Sequence, residues 1–177
     1  MDLDAACAMA HGDLPADVTT RTLVAVFASP VAKYLLHFSR DAGFRTVLAE
    51  PSLDLIDDVL KGYADGVASG VDPSFADASA DIVVCDHDRP ELGDVLAAAL
   101  AYPARWIGVM GSPRHDPPHV PALRRRGIAE EEIARVHRPI GLNIGSHTPA
   151  EIAISTLAGL IADRNNRPGG FGHTALA

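Results

Sequence analysis

The sequence is short of several residue types that would narrow its chemistry at once. It has two cysteines, Cys7 and Cys85, far apart and in no CxxC pair. That excludes a disulfide framework and a thiolate zinc site, and two free thiols fit the cytoplasm, the expected location. No apolar run approaches the roughly 18 residues of a membrane-spanning helix, so no membrane association is expected. The opening MDLDAACAMAHGD has neither the basic start nor the apolar core of a signal peptide. Lysine is scarce: Lys33 and Lys61 stand against 13 arginines. No Walker, Ser-His-Asp or zinc-ligand motif is present. Positive charge is outweighed overall, at a net −8, which excludes a broad nucleic-acid surface.

What is present is enough for one domain. A chain of 177 residues, 47% hydrophobic, buries roughly 70% of its unfolded surface without a staple. The charge is split: residues 1–100 hold 17 acidic and 6 basic residues, residues 101–177 hold 6 and 9. The second half therefore suits a small anion better than the first.

Residues 1–20 show no apolar periodicity and are expected to be a polar arm. Thr22–Ala28 is a run of β-formers and predicts a buried strand. Ser29-Pro30 then opens a helix over Val31–Ala42, with Ser as cap and Pro at a position whose missing N–H costs nothing. Gly43 ends it, and Phe44–Ala49 is a second strand. Helices are predicted at Leu53–Lys61 and Ser74–Ala80, around a short strand near Val67. Strands follow at Asp81–Cys85 and Arg105–Met110, with a helix at Glu91–Tyr102 between them. Pro121–Arg126 and Glu130–His137 read as helices. Thr148-Pro-Ala-Glu151 forms a capping box that opens the last helix. Strands alternating with helices predict an α/β, Rossmann-like, doubly wound domain over residues 21–163. Its sheet is mainly parallel with helices on both faces, and 164–177 follow as a tail.

Ligands of such sheets sit beyond the carboxyl ends of the strands, which selects the loops. The first loop, Phe27-Ala-Ser29-Pro, lacks the glycines that let a pyrophosphate approach a helix N-terminus. Glu50, however, stands where an acidic residue meets a dinucleotide ribose. Ser29 reads first as an ordinary helix cap, with anion contact as the alternative. Asp86-His87-Asp88 could move protons or bind a metal, but its spacing favours a solvated turn with a helix cap. Cys85 could act as a thiolate if its pKa were lowered; otherwise it is a small buried strand residue. Gly111, Ser112 and Arg114 combine small residues with a guanidinium, which suits phosphate or carboxylate. His115 and His119 have the spacing of zinc ligands, but Pro117 and Pro118 between them break the helix that spacing requires, so no metal is expected. Gly141, Asn143 and Gly145 precede the last helix, as a tight turn or a second anion site.

The stretches WIGVMGSPRH and RRRGIAEEEIARVHRPIGLNIGSHTPAEIAISTLAGLIA resemble the C-terminal Rossmann domain of the XdhC/CoxI family. The likeness runs over about residues 22–163 and is strongest from Asp81 onward. His87-Asp88 resembles the family's Thr-His-Asp strand end. The resemblance implies a maturation factor, not itself a redox enzyme, for molybdenum hydroxylases of the xanthine or carbon monoxide dehydrogenase type. Such a factor binds the molybdenum cofactor, a phosphate-bearing pterin, and hands it to the apo-enzyme. A cysteine desulfurase and a separate CoxI-type domain are implied partners, and a homodimer is the default assembly. Three positions depart from the family pattern: the glycine-rich first loop reads Phe27-Ala-Ser-Pro-Val31, its Asp is Asn143, and its basic loop reads Gly111-Ser-Pro-Arg114. The binding residues implied are Ser29, Glu50, Gly111, Ser112, Arg114, Gly141, Asn143 and Gly145, with His87, Asp88 and Cys85 as candidates for chemistry. An NAD(P)-binding oxidoreductase and a non-catalytic interaction module are the alternatives.

Overall fold

A computed structural model describes residues 21–112 and 114–170. The polar arm, Cys7 and the last seven residues of the tail lie outside them. Six parallel strands form one sheet: β1 (Arg21–Val26), β2 (Phe44–Ala49), β3 (Gly66–Ala68), β4 (Ala80–Val84), β5 (Trp106–Val109) and β6 (Val136–His137). Their order is β3-β2-β1-β4-β5-β6, the doubly wound order, with the switch point between β1 and β4. β1 and β4 are almost wholly buried and read as unbroken apolar runs because helices cover both sides of the sheet.

Helices α1 (Pro30–Asp41) and α6 (Pro149–Arg164) pack together on one face. There Leu35 and Leu36 of α1 meet Ala153, Leu157 and Leu160 of α6 over Leu23, Ala25 and Leu48. Leu60 of α2 (Asp58–Gly62) joins that layer. The other face carries α3 (Leu92–Leu100) and α4 (His119–Arg124), whose Leu96, Ala99 and Leu123 pack over Val24, Ile82 and Ile107. Ile133 of α5 (Glu130–Ile133) completes it.

The end signals act as expected. Ser29 Oγ accepts from the Ala32 N–H at 3.1 Å, and the Thr148–Glu151 capping box is closed on both sides. Gly43 takes φ +80° just past α1.

Three expectations need correction. Ser74–Ala80 is not a helix. Asp72 accepts from the Ser74 N–H and Asp77 from the Ser79 N–H, both at 2.8 Å, and these turns take the donors a helix would use. Glu130–His137 is not one helix: it stops at Ile133, and Val136–His137 pairs with Ile107–Gly108 as the edge strand β6. Leu53–Lys61 divides into a 3-10 turn, Leu53–Leu55, and α2. Just past α6, the first part of the tail folds back on the domain: a Cβ on Gly169 would meet Leu142 Cδ2 at 2.7 Å.

Candidate functional site

Two helix N-termini meet at the carboxyl end of β1. Ala28, Ser29, Pro30, Lys33 and Tyr34 of the first loop and α1 face Thr148, Pro149 and Ala150 of α6 across a cleft of about 590 Å³. Leu55, Asp57 and Leu60 close its side. The volume is that of an ordinary small-molecule site.

The two N-termini differ electrically. Each concentrates about half a positive charge. At α6, the Glu151 carboxylate accepts from the N–H groups of His147 (2.7 Å) and Thr148 (3.0 Å), which neutralises that end. Those bonds also hold the Glu151 carboxyl below its usual range. At α1 the first turn has no acidic residue, and Lys33 adds a positive charge one turn in. A cation there opposes the helix dipole, and an anion in the cleft would relieve both. Asp57, on the rim, is engaged in capping α2 through the Leu60 N–H at 2.6 Å.

Behind Ala28 lies a closed polar knot. Glu50 is fully buried, and each of its oxygens has two donors. Oε1 accepts from the Ser52 N–H (2.8 Å) and Arg89 Nη2 (3.0 Å); Oε2 accepts from the Ala28 N–H (2.7 Å) and Arg89 Nη1 (3.2 Å). A carboxylate offers about four acceptor positions, so none is left for a ribose hydroxyl. The Arg89 guanidinium lies 4.7 Å over the Phe27 ring, and hydrogen bonds from Glu50 and Glu91 raise its already high pKa. Phe27 is buried and holds φ +72°, a backbone state that glycine takes freely and a bulky residue takes at a cost of roughly 1–2 kcal/mol. The residues at the usual dinucleotide position therefore do not fit that ligand in the Rossmann manner.

The other expected residues fall elsewhere. Of them, Ser29 alone lines the α1/α6 cleft. Cys85 is buried and its thiol is pushed up to about 12, mainly by loss of solvent, so it is protonated at neutral pH. His87 and Asp88 stand 3.7 Å apart, Asp88 almost fully exposed, on a turn in which Asp86 accepts from the Asp88 N–H. Ser112 and Arg114 are exposed, and Ser112 Oγ accepts from the Arg114 N–H at 3.2 Å. Gly111 instead makes room for Arg138, since a Cβ there would come within 2.7 Å of the guanidinium. Arg138 donates to the carbonyls of Ser112 (3.0 Å) and His115 (3.1 Å). Gly141, at φ +88°, presses against α6, where a Cβ would meet Ser155 Oγ at 2.5 Å. It borders a second groove of about 270 Å³ beside Trp106 and His137. Asn143 and Gly145 are exposed in the loop that Ser155 ties down through its 2.6 Å bond to the Leu142 carbonyl. Among the described residues, no three His, Cys, Asp or Glu side chains gather as a metal site would require.

Lys33, Arg89 and Arg138 were not singled out by the sequence. Lys33 carried a signal, a rare lysine at an N-terminus without an acidic neighbour. Arg89 and Arg138 carried none, because Glu50 lies 39 residues from Arg89 and the carbonyl partners of Arg138 lie 23–26 residues away.

The family model of the XdhC Rossmann domain matches residues 23–160, and the chain belongs to that family. Over 90 residues it is 46% identical to the uncharacterized protein YqeB of Escherichia coli strain K12, covering 51% of this chain and 16% of that protein. A crystal structure of a Bacillus halodurans protein described as a xanthine dehydrogenase has the same fold, with a TM-score of 0.67 at 23% identity over 86% of this chain and 45% of that one. The chain thus spans less than half the length of either relative.

Proposed function

We propose that the chain is an accessory factor for a molybdenum hydroxylase of the xanthine or carbon monoxide dehydrogenase type, and that it binds the molybdenum cofactor as cargo by its phosphate. Membership of the XdhC family and the fold shared with a protein described as a xanthine dehydrogenase support the class. One observation carries the site: the α1 N-terminus, uncompensated and beside Lys33, opens on a cleft of small-molecule size. Val31 follows Pro30, and its N–H is one a helix cannot satisfy internally, so a phosphate oxygen suits it. Tyr34 and Leu55 offer apolar surface for a ring system. The partners of this reading are the apo-hydroxylase that receives the cargo, and a cysteine desulfurase or a CoxI-type domain.

The protein purified from a molybdopterin-producing host should release a fluorescent oxidised pterin on denaturation. Lys33→Glu should lower the amount retained about tenfold, the effect of roughly 1.4 kcal/mol of reversed charge near the anion. A wild-type protein that neither carries pterin nor takes it up overturns the reading.

A further inference from the structure

The knot around Glu50 has more order than a degraded site needs. A Rossmann fold whose dinucleotide function had simply lapsed would leave the acidic residue of β2 solvated or replaced. Here it is retained, fully buried, and bound by a side chain from the far side of the switch point. Arg89 follows β4, whereas Glu50 follows β2, so the pair bridges the loops on either side of the β1 loop. The guanidinium presents two parallel donors to the two carboxylate oxygens, the same two-point contact that a ribose diol would make. Phe27 supplies the surface on which it lies.

We propose that Arg89 is an internal occupant of the ribose-recognition position, and that it limits the ligand of the α1/α6 cleft to anionic molecules without an adenosine group. The proposal rests on the anion reading of the cleft and adds what that ligand must lack. The chemistry is one of competition. Glu50 has four acceptor positions and four donors, all from the protein. An adenosine ribose could bind only by displacing a bidentate pair of opposite charges, and its hydroxyls bring no positive charge to replace the guanidinium beside a buried carboxylate. Arg89 is also held from outside by Glu91, whose Oε1 and Oε2 accept from Nη2 and Nε, both at 3.3 Å, so its release breaks contacts on two sides. The closure meets the cleft at Ala28, whose N–H donates to Glu50 and which lines the cleft, so the rest of the lining stays open to an anion.

Calorimetric titrations of the full chain separate the two ideas. Adenosine, which has no phosphate, probes the ribose position alone; pyrophosphate probes the cleft; ADP-ribose joins them. The wild-type protein should show no saturable adenosine binding up to about 10 mM, and ADP-ribose should bind no more than about twofold tighter than pyrophosphate. Arg89→Ala should gain adenosine affinity by about tenfold or more, a change that a purely structural role would not produce. Because removing Arg89 leaves a buried charge, Arg89→Gln is the companion variant: it keeps one donor toward Glu50 and should fall between the two. Wild-type adenosine binding that saturates below about 10 mM overturns the proposal. So do folded Arg89 variants with unaltered adenosine affinity. A wild-type protein that ignores pyrophosphate overturns the anion reading instead, so the two failures are distinct.

Discussion

Among the described residues two carboxylates are fully buried, Glu50 and Asp81, and both are clamped by arginine. They sit at opposite ends of the sheet. Asp81 lies near the start of β4 and ties elements together: its Oδ1 accepts from Arg105 Nε, ahead of β5, and its Oδ2 from Arg164 Nε, at the end of α6, each at 2.6 Å. Arg164 also donates to the Ser79 carbonyl. Glu50 lies just past β2, at the ligand end, and half of its donors are backbone N–H groups of its own neighbourhood. The same chemistry therefore does two jobs. At the closed end of the sheet it fastens the last helix; at the open end it fills a position where a ligand would otherwise be read. A buried ion pair is weak evidence of stability in itself. Its place in the fold, and the source of its donors, show what it is for.

That contrast yields a ranking. Asp81→Ala strips the carboxylate that joins Arg105 to Arg164 and should cost about 3–5 kcal/mol in urea unfolding. Arg89→Ala should cost less, about 2–3 kcal/mol, because Glu50 keeps its two backbone donors. A larger loss at Arg89 than at Asp81 would reverse the assignment of anchor and plug. His119 sharpens the comparison from the other side, since it is buried with Nδ1 unpartnered instead of clamped. Burial and, next, the nearby Arg138 lower its pKa from 6.5. The unfolded chain then takes up the proton first, so stability is complete above about pH 6.5 and falls as the pH drops below it. Urea midpoints at about pH 7.5 and 5.5 should diverge in the wild type and draw together in His119→Gln. The smallest change in stability belongs to Lys33→Glu, which sets the charge in favour of the α1 dipole. It should raise stability by about 0.5 kcal/mol, opposite in sign to its effect on anion binding. A loss of stability there would mean that Lys33 holds the fold and not a ligand.

The alternation of strands and helices, the caps at Ser29 and Thr148 and the break at Gly43 were legible because each is a local signal. β6 was not: two residues of edge strand follow an apolar pattern with helical spacing, and only the pairing with β5 defines them. The turns at 72–74 and 77–79 were written twice as Asp-x-Ser, a pattern whose side chains compete for backbone donors. Glu50 was identified by its distance from the first loop, but its role depends on Arg89, which no local spacing reveals. Gly111 and Gly141 stand out as small residues in loops, and the structure assigns both to close packing, against Arg138 and α6. The cleft is assembled from the first and last helices, with Leu55, Asp57 and Leu60 closing its side, and no local pattern encodes it.

That pairing has a consequence at the opposite pole of the domain. Arg21 opens the first strand and Arg164 closes the last helix, and both guanidinium groups lie over the ring of Phe44, at 4.5 and 5.5 Å. The start of the first strand and the end of the last helix therefore lie side by side, away from the mouth between α1 and α6. A unit cut at these adjoining points can be spliced into a longer polypeptide through two short linkers, as an insert or a terminal module, without bending its own frame. Transplanted into an unrelated host protein at an exposed turn, it should keep its shape and leave its opening facing outward.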